Sequence, residues 1–258
     1  MESPTIWLVG DWQVPEFADA GKWLRESATC RSYDSPQSAA HELSAAKNAN
    51  VPVAIVVAVA RPGRFAAHEI EHLYALLPLT RLVALTGPWC EGEQRSGIPW
   101  PGIVRVAWRT WHERLPSELG INVTGAAQLP RTATEIERVE RSLASIRTQT
   151  PRRGIAAIRT HSIANHRYLA DAATQLGLTV PTHSDESVAA DVLICDGWEN
   201  LPPVSESNAP LHREPAQRSI LMLHFPRPAD QSRAQQAGIH AIVAQPPLLS
   251  DLAAALGE

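Results

Sequence analysis

His68-Glu69-Ile70-Glu71-His72 spells HExxH, the pattern in which two histidines one helical turn apart hold zinc and the intervening glutamate activates water. Glu91 or Glu93 would be the nearest third ligand. The helical period opposes this reading. Ala66, Ile70, Leu73 and Leu77 form one apolar stripe, and at about 100° per residue His68 and His72 fall on the other side. Zinc hydrolysis through His68, Glu69 and His72 stands as an alternative, beside an exposed pair that takes up metal adventitiously. A second concentration of chemistry follows. Trp89, Glu91, Glu93, Arg95 and Trp100 lie in a stretch, 87–102, that holds four glycines and three prolines, and Arg105, Trp108, Arg109 and Trp111 come directly after it. Tryptophan with arginine is the composition of binding hot spots. Three readings stay open: a Trp-packed loop with Glu–Arg struts in place of a missing helix, a protein-binding surface, or a small-ligand or catalytic site. The interleaved glutamates oppose nucleic acid. There is no glycine-rich phosphate loop, no GxSxG elbow and no Cys/His pairing at motif spacing.

These residues must be carried by elements, and the apolar pattern names them. Thr5–Val9, Cys30–Asp34, Val51–Val59, Arg81–Thr86 and Ile103–Trp111 read as strands. Phe17, Ala20, Trp23 and Leu24 predict a helix over 15–27, Ser35-Pro36 starts a second helix, and 65–77 is a third. The strand Ile103–Trp111 would carry Arg105 and Arg109 on one face, and 112–129 reads as polar loop. Thr132-x-x-Glu135 is a capping box that opens a helix over 131–148, with Ile136, Val139, Leu143 and Ile146 as its seam. Further on, Gly154–Ile158, Leu178–Val180, Asp191–Asp196, Ser219–His224 and Ala241–Ala244 read as strands. Helices are expected over 162–176, 228–237 and 248–256. Strands alternating with helices imply an α/β protein with doubly wound parallel sheets. Two domains are expected, 1–150 and 151–258, the second with trimmed helices because 197–218 is proline-rich.

Bulk composition excludes several classes. A chain of 258 residues with 44% hydrophobic and 19% charged residues folds rather than staying disordered. A net charge of −4 gives no general attraction to nucleic acid or acidic membranes. Cys30, Cys90 and Cys195 are far apart and odd in number, the pattern of reduced cytosolic thiols. The longest apolar run, Val51–Ala60, is half a membrane span, and no signal-peptide pattern opens the chain.

The strand that ends on Asp196, the Ala237-Gly238 turn and the Gln245-Pro246 break agree in spacing with a known pattern. In this the chain resembles the response-regulator receiver family, the flavodoxin-like signalling domain of two-component systems. That family gathers Mg²⁺ between an acidic pair after its first strand and a phosphoacceptor aspartate ending its third. A hydroxyl and a lysine then hold the phosphoryl oxygens. The resemblance places Asp196 on the phosphoacceptor, Gln245 on the lysine, a site near His224 on the hydroxyl, and Arg159-Thr160 on the acidic pair. It implies an Arg159–Asp196 ion pair filling the pocket. In the first half it places Asp11 on the acidic pair, Thr86 on the hydroxyl and Ala58, a methyl group, on the phosphoacceptor.

Two degenerate receiver-like domains in tandem are therefore expected, with no catalytic residue, metal or cofactor. The resemblance implies a cytoplasmic signalling or protein-interaction module, not phosphorylated, with a protein partner or a second copy and neither nucleic acid nor membrane. Its candidate binding surface is Trp89, Glu91, Glu93, Arg95, Trp100, Arg105, Arg109 and Trp111. The alternative is an enzyme or small-ligand binder using 87–111.

Overall fold

The structure, a computed structural model, describes residues 4–45, 51–90, 93, 100, 102–121, 129–130, 132–134, 136–138, 140–141, 144, 153–181, 190–201 and 218–256. They form two compact units, Met1–Ala133 and Thr134–Glu258. The expected boundary near 150 falls among 145–152, outside the described residues. Of the expected helix over 131–148, residues 136–138, 140, 141 and 144 are described and helical, with Ile136 exposed; 132–134 are not helical, and the reciprocal cap joins Thr134 and Glu137 instead of Thr132 and Glu135.

Unit 1 is a parallel sheet of β1 (Thr5–Val9), β2 (Thr29–Tyr33), β3 (Ala54–Val59), β4 (Arg81–Thr86) and β5 (Val104–Ala107), ordered β2-β1-β3-β4-β5. Alternate residues of each strand feed opposite faces. Ile6, Leu8, Val56, Val83 and Leu85 pack with Phe17, Ala20 and Leu24 of α1 (Pro15–Ser27) and with Leu115 and Leu119 of α4 (Trp111–Leu119). Trp7, Val9, Ile55, Val57 and Leu82 face α2 (Pro36–Ala45) and α3 (Ala67–Leu76), meeting Ala39, Ile70 and Leu73. Burial on both faces explains why β3 is apolar throughout and β4 is apolar between Arg81 and Thr86.

The carboxyl edge of this sheet differs from expectation. The fifth strand stops at Ala107, Trp108–Thr110 forms a 3₁₀ turn, and α4 occupies part of the expected loop 112–129. Arg109 thus leaves the strand and does not share a face with Arg105. Trp111, Leu115 and Leu119 are spaced by four, a stripe that outweighs Pro116 inside the helix, and Gly120 at φ +66° ends it. Residues 122–128 lie outside the described ones.

Unit 2 holds β6 (Ala156–Arg159), β7 (Val192–Asp196), β8 (Arg218–Leu223) and β9 (Ala241–Ala244), parallel and in that order. The expected strand at Leu178–Val180 is reduced to one parallel bridge, Ile155 with Thr179. That bridge lies beside β6 as β2 lies beside β1. Helices α5 (Ile163–Gln175) and α7 (Leu249–Ala255) cover one face through Leu169, Ala172, Leu252 and Ala253. Ala234 of α6 (Pro228–Gln236) packs on the other, against Cys195 and Leu221. The segments expected to carry trimmed helices, 182–189 and 202–217, lie outside the described residues. Among the described residues no helix is long and apolar enough to cross a membrane.

One charged pair is sunk in unit 1. Arg81 Nη1 donates to Glu118 Oε2 at 2.7 Å, with both side chains 9% exposed, and Arg81 Nη2 donates to the Leu129 carbonyl. The pair ties the start of β4 to the end of α4. Glu118→Ala would leave the guanidinium buried beside an apolar gap, and should destabilise unit 1 by about 3 kcal/mol. Urea denaturation followed by circular dichroism measures this; a loss under about 1 kcal/mol would show that Arg81 does not depend on Glu118.

Candidate functional site

Among the described residues of unit 2, the Asp196 carboxylate at the end of β7 gathers three side-chain donors. Its Oδ2 accepts hydrogen bonds from Thr160 Oγ1 at 2.5 Å and Asn165 Nδ2 at 2.8 Å, and its Oδ1 accepts from Gln245 Nε2. Strand alternation brings these groups together. Ala156 and Ile158 of β6, Val192 and Ile194 of β7, and Ala241 and Val243 of β9 all face the α5/α7 layer. Two residues further along each chain, the same face presents Thr160, Asp196 and Gln245. Asn165 arrives by a different route. Thr160 Oγ1 accepts the Ser162 N–H at 3.1 Å, and Ser162 caps α5 by accepting the Asn165 N–H at 3.2 Å, which sets Asn165 on the first turn. Tyr168 Oη, one turn on, donates to the Pro247 carbonyl at 2.5 Å.

Burial acts to raise the Asp196 pKa, but the hydrogen bonds from Asn165, Thr160 and Gln245, with His224 nearby, outweigh it and hold the carboxyl below its ordinary 3.8. The expected Arg159–Asp196 ion pair is not formed. Arg159 is in register with Cys195, one residue before Asp196, so its side chain belongs to the opposite face. There it acts on Cys195, whose thiol burial pushes up to about 11 against the pull of that guanidinium. On that opposite face Arg233 lies over the Trp198 ring at 4.0 Å.

The corresponding edge of unit 1 is built differently. Gly10, at φ +102°, leaves room for the Ala58 carbonyl, which would lie 2.7 Å from a Cβ at that position. Asp11 is exposed, its Oδ1 accepting the Gln13 N–H at 2.9 Å. Ala58 is buried in the α1/α4 layer. Thr86 is buried and donates to the Val106 carbonyl at 3.3 Å; alternation within β4 puts it with Ala84 on the other face. Asp11, Ala58 and Thr86 thus do not converge on one pocket.

Of the candidate surface, Glu91 and Arg95 lie outside the described residues. Glu93 and Arg105 form an ion pair, both 15% exposed, which is the strut expected for the loop. Trp100 packs on the α2/α3 layer and Trp111 against Trp23 at 5.7 Å, while Arg109 sits half-buried in the 3₁₀ turn. Trp89 is 65% exposed, with the Arg61 guanidinium 5.7 Å from its ring. Cys90 beneath it is buried, and its thiol is raised to about 11 by desolvation and by Glu93.

The HExxH residues sit on α3 as the periodicity requires, with His68 and His72 exposed. Glu69 has a local task the motif hides: its Oε2 accepts the Ala66 N–H at 3.0 Å and its Oε1 accepts from Gln37 Nε2, so it caps the helix. Glu93 is committed to Arg105, and among the described residues no group of three His, Cys, Asp or Glu is placed to hold a metal.

Fold and site together define a class, an α/β protein with two parallel-sheet units whose polar cluster is a carboxylate held by neutral donors. No family model matches the chain, and no curated protein does.

Two measurements follow. A carboxyl whose folded pKa lies below its unfolded value contributes stability that is present above pH 3.8 and is lost as pH falls through the lower folded value. In Thr160→Val/Asn165→Leu the Asp196 titration, read by carbon NMR, should move up toward 3.8; an unchanged midpoint would mean these bonds do not hold it. Cys90 and Cys195 should resist a thiol reagent at about pH 8 until the chain is unfolded. Fast labelling of either in the native protein would contradict their burial.

Proposed function

We propose that the chain is a tandem of two degenerate receiver-like domains, a non-catalytic cytoplasmic module for signalling or protein interaction. The strand order of unit 1 is the flavodoxin-like order, and unit 2 repeats it with Thr179 in the place of the edge strand.

The observation that carries the reading is the engagement of Asp196. A phosphoacceptor carboxylate needs Mg²⁺ beside it, and Mg²⁺ needs acceptor oxygens around it. The neighbours here are the hydroxyl of Thr160 and the amides of Asn165 and Gln245, all aimed as donors at the carboxylate. In this orientation they satisfy its charge in the manner of a fixed strut. In unit 1 the methyl of Ala58 offers nothing to phosphorylate.

Exposed apolar groups support binding rather than chemistry. Trp89 with Arg61 sits beyond β4, and Ile163, Phe225 and Leu248, 57–75% exposed, follow β6, β8 and β9. Large exposed side chains where strands deliver their loops suit contact with a protein partner, a second copy included.

Incubating the full chain with acetyl phosphate and Mg²⁺, then measuring intact mass, tests this. The expected result is no added phosphoryl group, in the wild type as in Asp196→Asn. A phosphoryl adduct that appears in the wild type and is lost in Asp196→Asn would overturn it.

A further inference from the structure

A cleft of about 370 Å³ opens at the carboxyl ends of β1 and β2, in unit 1 and apart from every residue the receiver resemblance uses except Asp11. Four charged side chains line it: Arg25 from the last turn of α1, Arg64 from the segment after β3, Asp11 after β1 and Asp34 after β2. Two positive and two negative groups sharing one cleft would ordinarily close into ion pairs. They do not: among the described residues the arginines pair with no carboxylate, and the one side-chain hydrogen bond of either aspartate is Asp11 Oδ1 accepting the Gln13 N–H. Their hydrogen-bonding capacity is left to the space between them.

The cleft is also shaped for this. Gly21 lies in the middle of α1, where glycine weakens a helix. A Cβ there would come 3.1 Å from both Arg25 Nη1 and the Trp12 ring. Its absence lets the guanidinium lie back along the helix toward the carboxyl edge, beside an indole that forms part of the wall. Arg64 is placed by its neighbour Phe65, which is buried against Gly10 with the guanidinium 5.6 Å from its ring. Ser32 adds a hydroxyl, whereas the Tyr33 ring packs on Trp7 and its hydroxyl is engaged by Arg31. Ser32 shares a face with Asp34 by alternation along β2.

Open α/β sheets take ligands outside the carboxyl ends of their strands. Two unpaired guanidiniums suit a dianion, whereas carboxylates and hydroxyls suit the hydroxyl groups of a polyol. The volume is at the small end for ligand sites, and of the two aromatic side chains in the wall Trp12 is buried and the Tyr33 ring packs on Trp7, which leaves little ring surface for a nucleobase. We propose that this cleft binds a small phosphorylated sugar, with phosphate between Arg25 and Arg64 and sugar hydroxyls on Asp11 and Asp34. The proposal does not rest on the reading of Asp196, and the failure of either leaves the other standing.

Calorimetric titration of the full chain with ribose 5-phosphate and glucose 6-phosphate tests it, with inorganic phosphate and free ribose as comparisons. At least one sugar phosphate should bind more tightly than phosphate or ribose. Arg25→Gln and Arg64→Gln should each weaken it about tenfold or more. Gly21→Ala should weaken it by displacing Arg25 with the charge retained, Asp34→Asn should narrow the margin over inorganic phosphate, and Arg167→Gln, in unit 2 and outside the cleft, should change nothing. These are exposed positions apart from Gly21, and the arginine variants should keep the wild-type thermal midpoint. Absence of millimolar binding by both sugar phosphates, equal affinity for inorganic phosphate, or binding that survives both arginine changes would each overturn the proposal.

Discussion

A strand covered by helices on both sides gives every side chain a choice of two layers, made by its place in an alternation of two. That constraint organises both units. In unit 1 it divides Ile6 and Leu8 from Trp7 and Val9, and so divides α1 and α4 from α2 and α3. In unit 2 the same alternation, continued past the end of the apolar core, gathers Thr160, Asp196 and Gln245 above the α5/α7 layer. The polar cluster is the core's own register carried one step into the loops. Only Asn165 needs a separate device, the Ser162 cap.

The same rule shows how much was readable beforehand and where reading failed. Helix α1 lies where its apolar period puts it, and strand β9 where an unbroken apolar run between Gly238 and Pro246 puts it. Counting to the strand ends sets Arg159 beside Asp196, whereas counting across the sheet does not. It is adjacent to Asp196 in any alignment of strand ends, yet belongs to the Cys195 face, and Ala156 and Ile158 already carried that information. Asn165 was invisible because its role depends on the Ser162 cap that orients the first turn of α5. Helix α4 was hidden by Pro116, although Trp111, Leu115 and Leu119 keep the spacing of one face. The pair of Arg81 and Glu118 joins residues 37 apart, and no local pattern announces such a contact.

Motifs behave in the same way. HExxH on α3 contains a glutamate whose carboxylate is occupied in capping its own helix, with the histidines on the solvent side. The Trp/Arg/Glu segment divides between packing and exposure. Trp100 and Trp111 are partly buried, Glu93 and Arg105 are paired, and Trp89 stands out. Residue type announces what a group can do. Its neighbours decide what it does.

The tryptophans have an optical consequence. Trp7, Trp12 and Trp108 are buried with indole N–H groups that meet no acceptor among the described residues, an environment of low polarity around three strong emitters in unit 1. Unit 2 contains one indole, Trp198, beneath a guanidinium. Fluorescence from the intact chain is therefore dominated by the first unit, whereas replacing the seven tryptophans before residue 134 would leave a single chromophore reporting on the second.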